Sequence, residues 1–98
     1  MVKWTDQAKR HLHEIHHYIA QDSAIYATRV IDNVVRKTIG IDKNPRICIK
    51  SPELNDDQIR EIHIYSYRIL YQILPDTIAI LAVIHKRREL HPVEILSE

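Results

Sequence analysis

Apolar residues in the first half of the chain recur at helical spacing. A first stripe stands at i, i+4, i+7 and i+11 and consists of Ala8, Leu12, Ile15 and Ile19. Thr5 precedes this stripe with a hydroxyl suited to capping a helix. Asp22-Ser23 interrupts the stripe and can cap a second helix.

The second helix has a broader apolar face made of Ala27, Val30, Ile31, Val34, Val35, Thr38 and Ile41. We expect it to end near Asn44, because Pro45 disfavours helix in the residue before it. The pattern predicts a helical hairpin.

The second half of the chain is rich in β-branched and aromatic residues and predicts strands near residues 59–65, 67–74 and 77–86. Val2-Lys3-Trp4 is a further short strand candidate. The last strand is apolar at both parities, so it should be central in the sheet. Residues 1–98 therefore predict a single α+β domain of order β-α-α-β-β-β. In it, the helical hairpin packs on one face of a small twisted antiparallel sheet and leaves the other face open.

Strand alternation predicts which side chains face away from the helices. Ile62 and Ile64 should point toward the helices, which places Glu61 and His63 on the open face. Arg68 is expected there too, since a buried unpaired charge would be costly. We expect His85 and Arg87 from the last strand to converge with Arg68 on that face, although ordinary solvated arginines at a sheet edge would give the same pattern.

Composition excludes several classes of function. The formal net charge is +1, so the whole chain is not a phosphate-seeking polycation, and the single glycine excludes a glycine-rich phosphate loop. One cysteine, Cys48, excludes an internal disulfide and fits a reducing compartment. The sequence has neither a run of about 18 apolar residues nor a signal-peptide pattern. We therefore expect a cytoplasmic protein without a membrane association, and no cofactor.

His13-Glu14-Ile15-His16-His17 contains the H-E-x-x-H pattern of zinc peptidases. His13 and His17 lie roughly opposite the apolar stripe of the first helix, so they should face solvent. A zinc peptidase also needs a third ligand, which the sequence does not specify. We interpret the pattern as an exposed histidine-rich helix face and expect no metal site.

The chain resembles toxins of the RelE/ParE superfamily, the toxic half of bacterial type II toxin–antitoxin pairs, and is most similar to the ParE branch. The resemblance extends over nearly the whole chain. It is carried by Trp4-Thr5, Ala8, Ile15, Tyr18-Ile19-Ala20, Ala27, Pro45, Pro52-Glu53-Leu54, Ile59-Arg60-Glu61-Ile62, Tyr67-Arg68-Ile69-Leu70-Tyr71, Ile84-His85 and Arg87-Arg88. One departure is Ile47, where a glycine is usual after the proline. The resemblance implies the same fold as the hydrophobic pattern.

The superfamily implies two different activities. RelE-like members resemble ribosome-dependent mRNA endonucleases, and ParE-like members resemble inhibitors of DNA gyrase. The nuclease pattern places basic residues on the open face of the first hairpin strand, where this chain has Glu61 and His63. An acidic residue there repels phosphate. Arg68 and Arg87 match basic positions of the nuclease pattern, and His91 or Val93 stands near the position where that pattern has Tyr or His.

The resemblance leaves three hypotheses. The first is a ParE-like toxin that binds DNA gyrase, is neutralised by a cognate antitoxin, and acts as a protein inhibitor rather than as an enzyme. Its expected target-binding residues are Arg68, His85, Arg87 and Arg88, with Tyr67 and His63 at the margin. The second is a nuclease acting on ribosome-bound mRNA, with Arg68 and Arg87 stabilising charge and His85 or His91 as acid–base group. The third is a relative that has lost toxicity and only binds its antitoxin.

Overall fold

The structure, a computed structural model, describes residues 1–88. Its regular elements in chain order are β1 (Val2–Trp4), α1 (Asp6–Ala20), α2 (Ala24–Thr38), β2 (Ile49–Lys50), β3 (Ile59–Ile64), β4 (Tyr67–Ile73) and β5 (Ile78–His85). Two single-turn 3₁₀ helices, Ile41–Lys43 and Pro45–Ile47, connect α2 to β2. Within this part of the chain, no helix is long and apolar enough to cross a membrane.

The strands form one five-stranded sheet of order β1-β5-β4-β3-β2. The pairs β2–β3, β3–β4 and β4–β5 are antiparallel, whereas β1 pairs with β5 in parallel. The predicted α+β class and element order are therefore confirmed, with a parallel strand at one edge and the short strand β2 added at the other. Strand β5 lies between β1 and β4 and is buried over most of its length, as its apolar residues at both parities predict.

Both helix starts lie where the sequence predicts them. The Thr5 hydroxyl accepts a hydrogen bond from the Ala8 amide, and the Ser23 hydroxyl accepts one from the Tyr26 amide. The predicted end of α2 near Asn44 is wrong, because the helix ends at Thr38. Ile39 is already extended, and Gly40 has φ of 86°, a left-handed conformation that glycine adopts without strain. Pro45, from which the end of α2 was predicted, instead begins the separate 3₁₀ helix Pro45–Ile47.

Each face of the sheet carries its own apolar cluster. The cluster on the helix side contains Ala8, Val30, Val34, Ile62, Ile69, Tyr71, Ile78, Ile80 and Val83. The cluster on the other side contains Leu54, Ile59, Leu70, Leu81, Ala82 and Ile84. Leu54 comes from the segment between β2 and β3 and packs against the face that was expected to be open. That expectation is wrong in this region, where the second face is part of the core.

A β-bulge separates the two ends of β5. Leu70 pairs with Ala82 but Tyr71 pairs with Ile80, so Leu81 is an extra residue in β5. Leu81 and Ala82 consequently both belong to the cluster away from the helices, and strict alternation does not hold across this point. Beyond the bulge, the Val83 amide donates a hydrogen bond to Nδ1 of His11 on α1.

Tyr71 links the sheet to the connection after α2. Its ring is fully buried, and its hydroxyl donates a hydrogen bond to the Pro45 carbonyl. Burial, followed by a hydrogen bond with Cys48, raises the pKa of the Tyr71 phenol well above its usual value. The neutral phenol is therefore the form that the folded state favours.

We expect this tyrosine to make stability fall at high pH. A phenol with a raised folded-state pKa contributes its full stabilisation below the unfolded pKa of about 10 and loses it as pH rises beyond that value. Tyr71→Phe should lower the free energy of unfolding by about 1–3 kcal/mol at pH 7, because the Pro45 carbonyl loses its donor. The variant should also lose less stability than wild type between pH 9 and 11. Urea denaturation across that range measures both effects, and an equally steep decline in the two proteins would contradict the assignment.

Candidate functional site

Arg68 lies in a buried cluster of carboxylates on the sheet face away from the helices. Its guanidinium donates to both carboxylate oxygens of Glu53, at 2.6 and 3.1 Å, and to Oε2 of Glu61 at 3.2 Å. The Arg68 side chain is 7% exposed and that of Glu61 only 1%. Arg68 is therefore on the predicted face, but the expectation of an exposed guanidinium is wrong.

Further polar groups complete this cluster. Ser51 donates its hydroxyl to Oε2 of Glu61 at 2.9 Å, and Nε2 of His63 lies 2.8 Å from Oε1 of the same carboxylate. The hydrogen bond to Glu53 is the main cause that raises the pKa of the Arg68 guanidinium, and it outweighs the opposing effect of burial. One guanidinium thus faces two carboxylates, so the cluster offers no net positive charge to a phosphate.

The same guanidinium also fixes where β5 ends. Nη2 of Arg68 donates to the backbone carbonyl of Arg88, and the Lys86 amide donates to the Ser66 carbonyl in the turn between β3 and β4. These two hydrogen bonds hold the chain as it leaves β5. We call residues 86–88 the basic turn, since they are Lys86, Arg87 and Arg88, and all three are exposed.

The expectation that Arg68, His85 and Arg87 converge on one face is wrong. Tyr67 is the cross-strand partner of His85, and both belong to the helix side, with their rings edge to face at 6.1 Å. Arg68 pairs instead with Ile84, on the opposite side of the sheet. Arg87 is past the end of β5, where its amide donates to Nδ1 of His85. Whether these residues contact a target stays a prediction, and His91 lies outside the described residues.

The histidines of α1 are placed as the helical stripe predicts. His13 and His17 are exposed, and His16 is half-buried beside α2, with Nε2 3.5 Å from the Thr28 hydroxyl. Among residues 1–88 there is no group of three or more His, Cys, Asp or Glu side chains that could hold a metal ion.

One surface feature was missed by the sequence reasoning. A groove with a volume of about 350 Å³ lies between α1 and the ends of β4 and β5, on the helix side. The wall on α1 is formed by His11, Glu14, Ile15 and Tyr18, and the facing wall includes Tyr67, Val83 and His85. We call it the tyrosine groove. The signal was present in the sequence, since the four α1 residues stand at i, i+3, i+4 and i+7, but their mixed polarity does not register as an apolar stripe.

The sequence that folds into this helical hairpin and mixed sheet matches a known protein family. The family described as "ParE toxin of type II toxin-antitoxin system, parDE" matches residues 2–90. The chain therefore belongs to the ParE toxin family of type II toxin–antitoxin systems. Membership implies an antitoxin as its partner.

A solved structure supports the fold independently. The structure titled "Chromosomal ParDE TA system from P. aeruginosa" contains a chain that is similar to this one with a TM-score of 0.70 and 17% sequence identity. The similarity covers 86% of this chain and 92% of that chain. At this identity the likeness shows a shared fold. A comparison with curated proteins gave no match.

The buried ion cluster predicts an ordered series of stability losses. Arg68→Ala leaves Glu61 buried without its cation and should lower the free energy of unfolding by about 3–5 kcal/mol. Glu53→Gln should cost less, because the Glu53 side chain is 28% exposed and water can replace part of its interaction. Chemical denaturation at pH 7 measures both. A loss below about 1 kcal/mol in Arg68→Ala would mean that this guanidinium does not hold the fold together.

Proposed function

We propose that this protein is a toxin that inhibits DNA gyrase and is neutralised by its cognate antitoxin. It acts as a protein inhibitor in the cytoplasm, where gyrase works on DNA, and arrests bacterial growth. Membership of the ParE family supports the toxin–antitoxin part of this proposal. The choice of gyrase over the ribosome is carried by one observation, the neutralised state of Arg68.

A ribonuclease must stabilise negative charge that develops on a phosphate, and preorganised cations usually do so. Arg68 is the strand residue that matches a basic position of the nuclease pattern, and its charge is compensated by Glu53 and Glu61. Glu61 itself occupies a position where that pattern has a basic residue. Neither residue favours binding of an RNA phosphate at this face, so inhibition by protein contact is the better explanation.

The remaining candidates for target contact lie at one end of the molecule. His85 and Arg87 are exposed, and Tyr67 is half-buried beside His85. Arg87 makes no ion pair with a side chain of residues 1–88, so its charge is available to a partner. Arg88 is exposed in the same turn. His63, by contrast, belongs to the carboxylate cluster on the other face.

A supercoiling assay with purified gyrase holoenzyme tests the proposal. Wild type should inhibit supercoiling of relaxed plasmid in a dose-dependent manner, and equimolar antitoxin should relieve the inhibition. Arg87→Ala should weaken the inhibition by roughly fivefold or more, because Arg is enriched among the interface residues whose truncation costs more than about 1 kcal/mol. Lys43→Ala is the matched control, since it removes an exposed cation of the connection after α2 and should leave inhibition unchanged.

The same preparations separate the alternatives. Primer extension in a translating extract detects cleavage in the ribosomal A site. Cleavage that disappears in Arg87→Ala, without gyrase inhibition, would favour the ribonuclease. Normal growth on expression without antitoxin, together with inactivity in both assays, would favour a relative that only binds its antitoxin.

A further inference from the structure

The tyrosine groove has the chemistry of a recognition site. Tyr67 and His85 meet edge to face with an interplanar angle of 79° at one wall. Tyr18 stands on the opposite wall and is 72% exposed, which is more than a core residue would be. Burial raises the pKa of the Tyr67 phenol, and the phenols of Tyr18 and Tyr26 are near enough to raise it further. Three tyrosines therefore gather at this end of the helical hairpin.

Two further exposed side chains with large apolar parts lie at the start of α2. Ile25 is 78% exposed at the start of α2, and the neighbouring Tyr26 is 47% exposed. Tyrosine and arginine are enriched where proteins bind one another. Tyrosine suits such sites because its large, rigid ring with a polar tip gains much contact area for little lost conformational freedom. Several exposed apolar and aromatic side chains at one end of a molecule are typical of interaction sites.

The charges around the groove indicate what kind of partner fits. Lys86 and Arg87 directly follow His85 and make no ion pair with side chains of residues 1–88, so the rim attracts negative charge. Glu14 and Arg88 both line the groove, so it contains one carboxylate and one cation. The Glu14 carboxylate repels the phosphates of a nucleic acid backbone, whereas a protein segment can place an apolar side chain in the groove and a carboxylate near the cations of the rim.

We infer that the tyrosine groove receives an apolar side chain from an acidic surface segment of gyrase. This inference rests on the proposed function and identifies the surface through which the protein inhibits gyrase. The target-binding surface is then the end of the molecule formed by Tyr18, Tyr67, His85 and Arg87, and not the sheet face that carries Arg68.

Binding to gyrase holoenzyme in the absence of DNA tests the inference directly. Wild type should bind, and Tyr18→Ser should raise both the Kd for gyrase and the concentration needed to inhibit supercoiling by roughly 5- to 30-fold, the range of an interface anchor. Ile39→Ser is the matched control, because Ile39 is 73% exposed against 72% for Tyr18 and lies at the far end of α2. It should change both quantities less than twofold. Equal unfolding free energies would show that both variants fold normally.

The outcomes separate this inference from the proposed function. If wild type neither binds nor inhibits gyrase, the proposed function is wrong and the inference is wrong with it. If wild type inhibits gyrase and Tyr18→Ser matches Ile39→Ser, only the inference is wrong. A third arm measures binding to a fluorescent DNA duplex alone. If wild type binds that duplex and Tyr18→Ser abolishes the binding, the groove is a DNA site, and the assignment of a protein partner is overturned.

Discussion

The sheet depends on one buried guanidinium. Arg68 on β4 joins Glu61 on β3, Glu53 in the segment before β3, and the carbonyl of Arg88 after β5. Without these contacts, two carboxylates and a carbonyl would compete for water at a face that is otherwise lined by apolar side chains. A buried ion pair stabilises the folded state little more than well-packed hydrophobic residues would. Removing only one partner, however, lowers the free energy of unfolding substantially. The cluster thus specifies the path of three chain segments rather than adding much net stability.

This constraint explains why the sequence predicted the fold better than the candidate site. The hairpin, the caps at Thr5 and Ser23, and the burial of β5 follow from local signals, namely hydrophobic period and hydroxyl position. The ion pairing of Arg68 depends on Glu53, which is 15 residues away in an irregular segment. A contact of this kind leaves no periodic pattern in the sequence. Alternation correctly placed Arg68 on the sheet face away from Ile69 and the helices. It could not show which residues cover the face that carries Arg68.

The errors at the end of the chain have a related cause. The prediction assumed that side chains alternate between the two faces along the whole of β5. The bulge at Leu81 breaks this alternation and puts Leu81 and Ala82 on the same side. His85 therefore joined the wrong group of side chains in the prediction. Likewise, the end of α2 was assigned from Pro45, although the left-handed Gly40 had already redirected the chain. In both cases a single backbone irregularity interrupted a regular pattern. Gly40 is a local signal for a helix end, whereas the bulge is defined by the pairing of β5 with β4.

The parallel pairing of β1 with β5 has a consequence for synthesis. The Thr5 amide and hydroxyl donate to the Ile80 carbonyl, and the Ile78 amide donates to the Met1 carbonyl, so β1 cannot pair until β5 has been synthesised. The five-stranded sheet therefore cannot be completed on the ribosome before β5 has emerged from the exit tunnel. A chain that stops before β5 lacks both this strand and the basic turn. Such a fragment cannot assemble the surface that is proposed to bind gyrase.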